Sequence, residues 1–202
     1  MEETELISRC KRGEIVCFNA LVTRYQECVY NVALRMLGST QLAEDATQET
    51  FISAWKGIKG YRGGNFKAWL LRIASNACLD QLRSSRRHPS VSLDAALVTL
   101  NEPASPPENS PQEIAERRMI GEAVQKGLAE LDPDQRLAVV LCDMQGLDYE
   151  EISRVMGTSL GTVRSRIARG RQHLRDFLAK EGELFGYQRR LISRRNGKSD
   201  DA

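Results

Sequence analysis

The sequence is poor in the residues that build β-sheets. Aromatic residues make up only 6% of its 202 positions, and runs of valine, isoleucine or threonine are few. Because both residue classes are enriched in strands, their scarcity argues against an all-β sandwich or barrel. The length allows one mid-sized domain or two small ones. With 41% hydrophobic and 28% charged residues, the composition is that of a chain that folds and stays soluble.

The sequence also lacks the signatures of metal sites and of common enzyme chemistries. Its five cysteines include no Cys-x-x-Cys pair, and the only histidines are His88 and His173. We therefore expect no zinc site and no disulfide framework, and the thiols are predicted to be reduced and mostly buried. There is no glycine-rich phosphate loop and no Gly-x-Ser-x-Gly motif. No cofactor, no metal and no catalytic residue are expected.

No stretch of the chain is apolar over the roughly 20 residues needed to cross a bilayer. Residues 1–14 are charged, unlike a secretory signal peptide. We therefore expect a cytoplasmic protein without membrane insertion. The 29 basic and 27 acidic residues nearly cancel, so any surface for nucleic acid must be local.

Basic residues are absent from a central segment that holds most of the prolines. Residues 89–116 contain no lysine or arginine, five acidic residues and five of the six prolines. Such a segment buries little surface and is expected to be flexible. It predicts an N-terminal module over 1–88, a linker over 89–110 and a C-terminal module over 111–180, with few contacts between the modules. The basic tail, residues 181–202, is expected to be disordered.

Both modules are predicted to be helical. Apolar residues between Phe18 and Met36 recur at steps of three and four, and Gly38 ends that pattern. Further helices are predicted over about 40–57 and 65–87. In the C-terminal module, capping residues mark three helix starts, at Ser110, Asp132 and Asp148. With no convincing strand, the expected fold is all-α, built from two small helical modules.

The C-terminal module has the pattern of a helix-turn-helix. A short helix over 149–156 is followed by a tight turn over 157–159 and by a second helix from Leu160 to about Leu178. On a helical wheel, the second helix is apolar on one side and polar on the other, with arginines at both edges. Such a helix suits the major groove, where the polar face reaches base edges and the arginines contact phosphates. The alternative is a solvated surface helix.

This second helix supplies the candidate contacts with duplex DNA. Its five arginines meet no acidic residue in the sequence before Asp176. The candidates for reading base edges are Thr162, Ser165, Arg166 and Arg169. The candidates for contacting phosphates are Arg164, Arg171 and Arg175.

Two surfaces of the N-terminal module do not look like core. The helix over 43–58 carries Ile52 among acidic and amide residues, which indicates either a docking patch or a solvated face with one exposed apolar side chain. The helix over 65–87 carries a row of basic and amide residues, and a glycine-rich loop over 60–65 precedes it. That combination suits a melted DNA strand, although a solvated face is an equal alternative.

Four stretches, in this order and spacing, resemble bacterial sigma factors of the extracytoplasmic-function (ECF) group. They lie at 43–51 with 54–55, at 61–62 with 66–76, at 128–141, and at 149–152 with 161–166. The resemblance implies a transcription initiation factor that binds core RNA polymerase and promoter DNA. An anti-sigma factor would be a further partner.

The resemblance also implies a role for each surface. In such proteins an acidic and amide face docks on the polymerase, and here that face is Asp45, Gln48, Glu49 and Ile52. The loop and the following helix hold the opened −10 strand. The corresponding residues here are Tyr61, Arg62, Asn65, Lys67, Arg72, Asn76, Arg83 and Arg87. The second helix of the helix-turn-helix reads the duplex −35 element. Fully extended, the segment 89–116 would reach on the order of 90 Å, enough for two sites two helical turns apart.

The main alternative is a free-standing helix-turn-helix regulator that acts without polymerase. It would bind a palindromic duplex tightly on its own, and it leaves the acidic and amide face without a role. A small helical enzyme is a weaker alternative, because it would need a cluster of ionisable residues that the sequence does not show.

Overall fold

The computed structural model describes residues 2–87 and 111–196, and within these ranges the chain forms helices and turns with no strand. The prediction of an all-α fold is confirmed. The predicted linker, residues 89–110, lies outside the described residues.

The structure contains the helices that the sequence pattern predicts and adds one before them, near the N-terminus. The N-terminal module contains α1 (Glu3–Lys11), α2 (Ile15–Leu37), α3 (Thr40–Gly57), a 3-10 turn (Ile58–Gly60) and α4 (Phe66–Arg87). The C-terminal module contains α5 (Pro111–Glu130), α6 (Pro133–Val139), a π-helical turn (Val140–Met144), α7 (Tyr149–Met156) and α8 (Leu160–Asn196).

Local capping sets most of these boundaries. Gly38 ends α2 in the left-handed conformation, at φ 69°, which a residue with a Cβ adopts at a cost. The side chain of Asn65 accepts a hydrogen bond of 3.2 Å from the backbone N–H of Ala68 and so caps α4. Asp148 and Glu151 form a reciprocal capping box at the start of α7. The predicted helix starts are therefore confirmed where the structure describes them.

Aromatic rings pack together in the N-terminal module where α4 begins. Phe66 and Trp69 of α4 pack on Tyr61, with ring centroids 5.5 and 5.3 Å from the tyrosine ring. Tyr25 of α2 adds a fourth ring, 5.5 Å from Phe66. This cluster fixes the start of α4, and with it the position of the preceding loop.

The apolar run 137–141 forms the centre of the C-terminal module, where α6 meets Val163 and Ile167 of α8. Helices α6 and α8 approach closely at Gly170, because a Cβ there would lie 2.7 Å from Cγ2 of Val139 and 3.3 Å from the carbonyl oxygen of Gln135. Only glycine fits at this crossing without a shift of its neighbours.

Helix α8 is longer than the sequence predicts. It continues to Asn196, whereas residues 181–202 were expected to form a disordered tail. The expectation rested on the polar, basic character of this tail. Residues 181–196 contain no proline, however, and half of them are arginine, leucine or glutamate, which favour helix. Residues 197–202 lie outside the described residues.

The two modules pack against each other, contrary to the expectation of few contacts between them. Helix α4 lies against α7, and α2 lies against α5, α6 and the π-helical turn. Gln125 and Arg136 donate hydrogen bonds to backbone carbonyls at the C-terminal end of α2. The composition of a linker predicts its own flexibility, but it carries no information on whether the surfaces that it joins are complementary.

Candidate nucleic-acid interface

The acidic and amide face of α3 is exposed as predicted. Asp45, Gln48 and Glu49 lie on the solvent side of the helix, because Ala46 and Thr50 turn inward and are buried. Ile52 stands among them with 47% of its surface exposed. The face therefore offers two carboxylates, an amide and an apolar side chain to a partner.

An apolar groove runs beside this face, between α2 and α3. It has a volume of 780 Å³, and its lining includes Phe18, Phe51 and Trp55. Ile15 at its end is 50% exposed. Sequence reasoning missed the groove, because the spacing of apolar residues in each helix does not show how far apart the two helices lie.

The glycine-rich loop has a different internal structure from the one predicted. Gly63 and Gly64 both have φ near 95°, a conformation that favours glycine. Tyr61 is buried, and its hydroxyl donates a hydrogen bond of 2.6 Å to the carbonyl oxygen of Gly64. Tyr61, one of the residues predicted to hold the melted strand, therefore does not present its ring to solvent in this conformation. The ring belongs to the aromatic core, whereas Arg62 to Asn65 of the loop are exposed.

The basic row of α4 is only partly available to a ligand. Arg62, Arg72 and Asn76 are exposed, whereas Arg83 forms an ion pair of 2.9 Å with Asp80. The side chain of Arg87 lies outside the part of the chain that the structure describes in full. Arg62 and Arg72 line a cavity of 300 Å³ beside the loop. Arg154 of α7, in the other module, lines the same cavity.

Two residues of this predicted strand-binding set contact the other module. The side-chain amide of Asn65 donates a hydrogen bond to the carboxylate of Glu151. The ammonium group of Lys67 donates one of 2.8 Å to the carbonyl oxygen of Gln145. The sequence does not predict these contacts, since they join residues that lie 86 and 78 positions apart.

The helix-turn-helix forms as predicted. Gly157 ends α7 in the left-handed conformation, at φ 62°. The hydroxyl of Ser159 accepts a hydrogen bond of 3.2 Å from the backbone N–H of Thr162 and caps α8. Val163 and Ile167 point into the core, which leaves the opposite side of α8 to solvent. The exposed residues on that side include Arg164, Ser165, Arg169 and Arg175.

Two arginines of α8 form ion pairs that the sequence did not predict. Arg166 pairs with Asp134 of α6, and Arg171 donates a hydrogen bond of 3.0 Å to Asp143 in the π-helical turn. The hydrogen bond that Arg171 donates to Asp143 raises the pKa of Arg171 above its ordinary value. Residues 164–175 themselves contain no acid, so the sequence did not show these pairs, whose acidic partners come from elements packed beside α8.

The cysteines and potential metal ligands show no functional cluster in the part of the chain that the structure describes. No group of three or more histidine, cysteine or acidic side chains is placed to hold a metal ion there. Burial raises the pKa of the Cys78 thiol to about 12, which keeps it protonated near neutral pH. Among the described residues, no helix is long and apolar enough to cross a membrane.

The geometry thus defines a helix-turn-helix protein with a second, acidic exposed face on a separate helical module. Two family profiles match the two modules. The family described as "Sigma-70 region 2" matches residues 21–88, and the family described as "Sigma-70, region 4" matches residues 121–174.

Full-length relatives agree with these matches. The chain is 43% identical over 164 residues to the ECF RNA polymerase sigma factor SigE of Mycolicibacterium smegmatis, covering 81% of this chain and 62% of that protein. It is 34% identical over 175 residues to the RNA polymerase sigma-H factor of Pseudomonas aeruginosa, covering 85% of this chain and 91% of that protein. The chain belongs to the ECF group of sigma factors.

A solved structure has the same fold. The chain resembles the sigma factor RpoE of Bartonella quintana, which was crystallised in complex with the anti-sigma factor NepR. The TM-score is 0.62 at 26% sequence identity, with 80% of this chain and 96% of that chain covered.

Proposed function

We propose that this chain is a transcription initiation factor that docks on core RNA polymerase through α3 and directs it to promoters. The main support is the placement of two separate surfaces, each on the module that matches the corresponding sigma region. The module that matches region 2 exposes Asp45, Gln48, Glu49 and Ile52. The module that matches region 4 exposes the polar side of α8.

The exposed side of α8 suits the duplex −35 element. Ser165 and Arg169 lie near the middle of its exposed surface, where they can reach base edges in the major groove. Arg164 and Arg175 stand toward one edge, where the DNA backbone would pass. Arg166 and Arg171 are held by acids, so we assign them a weaker or conditional role than the sequence alone suggested.

The loop over 60–65 and the start of α4 suit the melted −10 strand. Arg62 and Arg72 give the cavity beside the loop positive charge, and the outward loop backbone offers polar groups to an unstacked base. Because the ring of Tyr61 is buried, we infer that a base docks into this cavity instead of stacking on the tyrosine.

The alternative of a free-standing regulator is less well supported. It gives no role to the exposed face of α3, and the sigma-factor relatives do not favour it. A protein of the proposed kind acts where polymerase and chromosomal DNA are, so we place it in the cytoplasm. The complex of the Bartonella relative leads us to include an anti-sigma factor among the partners.

The test combines association and promoter opening. Purified protein is mixed with core RNA polymerase, and the complex is isolated by size-exclusion chromatography. The complex is then offered genomic DNA fragments, and melted thymines are mapped with permanganate. We expect co-elution and a melted patch at defined promoters. Tight, site-specific binding to a palindromic duplex without polymerase would instead support the free-standing regulator.

A further inference from the structure

Helix α1 has no part in the function proposed above. The family match for the N-terminal module begins at residue 21, so α1 (Glu3–Lys11) precedes it. The helix nevertheless packs on α2 and on the 3-10 turn that leads into the 60–65 loop. Its last residue, Lys11, reaches the first part of that loop. This contact indicates what α1 contributes.

Helix α1 is held firmly against the rest of the N-terminal module. One side of it is buried in the core, at Leu6, Ile7 and Cys10. Near its start, the carboxylate of Glu3 accepts a hydrogen bond from the hydroxyl of Tyr25 on α2. Near its end, Arg9 donates one of 2.7 Å to the carboxylate of Glu14, which precedes α2. Lys11 therefore extends from a helix that is fixed at both ends.

The ammonium group of Lys11 makes two contacts with a single loop residue. It donates a hydrogen bond of 2.6 Å to the carbonyl oxygen of Tyr61. It also lies 5.5 Å from the centroid of the Tyr61 ring, within the distance at which an aromatic face attracts a cation. Lys11 is half-buried, and partial exclusion of water strengthens a hydrogen bond from a charged donor. The backbone of Tyr61 is therefore anchored to α1.

Tyr61 is the residue at which the chain leaves the 3-10 turn and enters the loop. Its ring packs on Phe66 and Trp69 of α4, and its hydroxyl donates to the carbonyl oxygen of Gly64. These contacts fix the side chain, whereas the bond from Lys11 fixes the carbonyl group and with it the direction in which the chain continues. Because the two anchors use different atoms, loss of Lys11 should free the backbone without dispersing the rings.

An external anchor matters because the loop itself is rich in glycine. Three of its six residues are glycines, at positions 60, 63 and 64. Glycine loses more conformational freedom on ordering than any other residue, so a loop of this composition is hard to hold in one shape. A loop that is ordered before the strand arrives binds it more tightly. Arg62 follows Tyr61 directly and lines the cavity beside the loop, so its place depends on the anchored carbonyl group.

We propose that Lys11 is a positioning residue for the strand-binding loop, which it holds through the carbonyl oxygen of Tyr61 before melted DNA arrives. This inference rests on the proposed function, because it assumes that the loop binds the −10 strand. Lys11 acts through Tyr61 and needs no contact of its own with DNA. The competing explanation is that Lys11 is only one more positive charge beside the DNA path. The two explanations differ in whether removal of the ammonium group changes the loop itself.

Three variants separate the order of the loop from its charge. Lys11→Met removes the ammonium group but keeps a flexible, unbranched side chain. Lys11→Arg keeps a positively charged donor at the same position. Lys59→Met, the matched control, removes the same charge from an exposed side chain two residues before Tyr61. Lys11 and Lys59 both lie outside the buried core, so all three variants should unfold at the temperature of the original chain.

The first measurement is the initial rate at which trypsin cleaves after Arg62 in the full-length protein without polymerase, read by peptide mass spectrometry. Cleavage requires local opening of the chain, so the rate reports how firmly the loop is held. Lys11→Met should raise it about tenfold, as expected for the loss of one charge-assisted hydrogen bond, whereas Lys11→Arg and Lys59→Met should stay within about twofold of the original. An unchanged rate for Lys11→Met would overturn the proposal. An equal rise after Arg72 of α4 would overturn it too, because the whole module would then be loosened.

The second measurement uses holoenzyme assembled with each variant and a promoter fragment identified by permanganate mapping. The fragment is offered with its −10 segment either fully paired or pre-melted by mismatches. Lys11→Met should bind the pre-melted fragment about tenfold more weakly than the original chain, because the loop must then be ordered on binding. Lys11→Arg should restore most of the affinity, and association with core polymerase should be unchanged in every variant. Equal losses for Lys11→Met and Lys59→Met would assign the effect to charge and overturn the positioning role.

The two measurements also distinguish a failure of this inference from a failure of the proposed function. If holoenzyme with the original chain gains no affinity from pre-melting, the proposed role of the loop fails. Trypsin cleavage involves no DNA, so its rate still decides whether Lys11 orders the loop. If pre-melting raises the affinity but Lys11→Met matches the original chain, the positioning role fails and the proposed function stands.

Discussion

The two surfaces assigned to DNA are presented in opposite ways. The polar side of α8 faces solvent, and the elements beside it, α6 and the π-helical turn, hold two of its arginines by ion pairs. The loop over 60–65 lies beside the other module, and the side-chain amide of Asn65 donates a hydrogen bond to Glu151 of α7. The surface proposed to read the duplex is therefore fully open to solvent, whereas the surface proposed to hold the melted strand is in contact with the other module at Asn65 and Lys67.

This difference agrees with what each surface must recognise. A duplex is present before initiation starts, so a surface that reads it can stay exposed. A melted strand exists only after polymerase has opened the promoter, and a cationic loop left exposed would bind unrelated single strands. In the proposed function, the contacts of Asn65 and Lys67 with the C-terminal module lie where the melted strand would bind.

The largest expected effect concerns the exposed face of α3, which we propose docks on core polymerase. Asp45→Arg with Glu49→Arg should weaken association with core polymerase by at least about a hundredfold, because each charge reversal places like charges across the interface. Both positions are exposed, so the unfolding temperature should stay the same. Association is measured by fluorescence anisotropy with labelled protein.

The matched control carries the same change of charge elsewhere. Glu5→Arg with Glu130→Arg also reverses two exposed acids, one in each module, and should bind polymerase like the original chain. If both pairs weaken binding equally, the net charge of the chain matters and the α3 face has no specific role.

The next effect separates base reading from phosphate anchoring on α8. Arg169→Ala should weaken binding of holoenzyme to the −35 duplex by about 1–3 kcal/mol and relax its preference at one base position. Arg175→Ala should weaken binding to all sequences about equally and reduce its salt dependence. The measurement is competition across a panel of mutated promoters at two salt concentrations. Parallel losses for both variants would contradict the assignment of the two positions.

Most of the fold was predictable because its signals are local. Gly38, Asp148 and Ser159 satisfy backbone groups within a few residues of themselves, so the sequence shows where those helices end or begin. The apolar spacing of each helix likewise identifies its buried side. The exposed faces of α3 and α8 follow from the same patterns.

Several features that sequence reasoning missed are contacts between distant parts of the chain. Arg166 meets Asp134 across 32 residues, and Asn65 meets Glu151 across 86. Tyr61 is buried because Phe66 and Trp69 close around it, whereas its glycine-rich surroundings suggested an exposed ring. Neither helical periodicity nor capping motifs carry information about such pairs.

A smaller effect concerns how closely α6 packs against α8. Gly170→Ala places a Cβ 2.7 Å from Cγ2 of Val139, so α8 must move away from α6. We expect a loss of about 1–2 kcal/mol in the free energy of unfolding, because overpacking outweighs the gain in helix propensity. Urea denaturation measures the loss, and duplex binding should fall with it.

Another glycine of the same helix provides the control. At Gly161 a Cβ would meet only the hydroxyl of Ser159, at 3.9 Å. Gly161→Ala should therefore stabilise α8 by up to about 1 kcal/mol through helix propensity alone. Equal stability changes at both glycines would show that the crossing at Gly170 is not tight.

The smallest expected effect concerns the acids that hold the arginines of α8. Asp134→Asn releases Arg166 and removes a negative charge beside the DNA path. The pair is partly exposed, so stability should change by less than about 1 kcal/mol. Binding to the −35 duplex should tighten about two- to threefold, with a shift in preference at the base position that Arg166 reaches.

Asp143→Asn releases Arg171 in the same way, but it should tighten binding to all sequences alike, because Arg171 lies on the phosphate edge. The two variants are compared in the promoter panel used for Arg169. If Asp134→Asn weakens binding, the ion pair orients Arg166 for base contact instead of restraining it, and the exposed surface of α8 depends on α6 more closely than its solvent accessibility suggests.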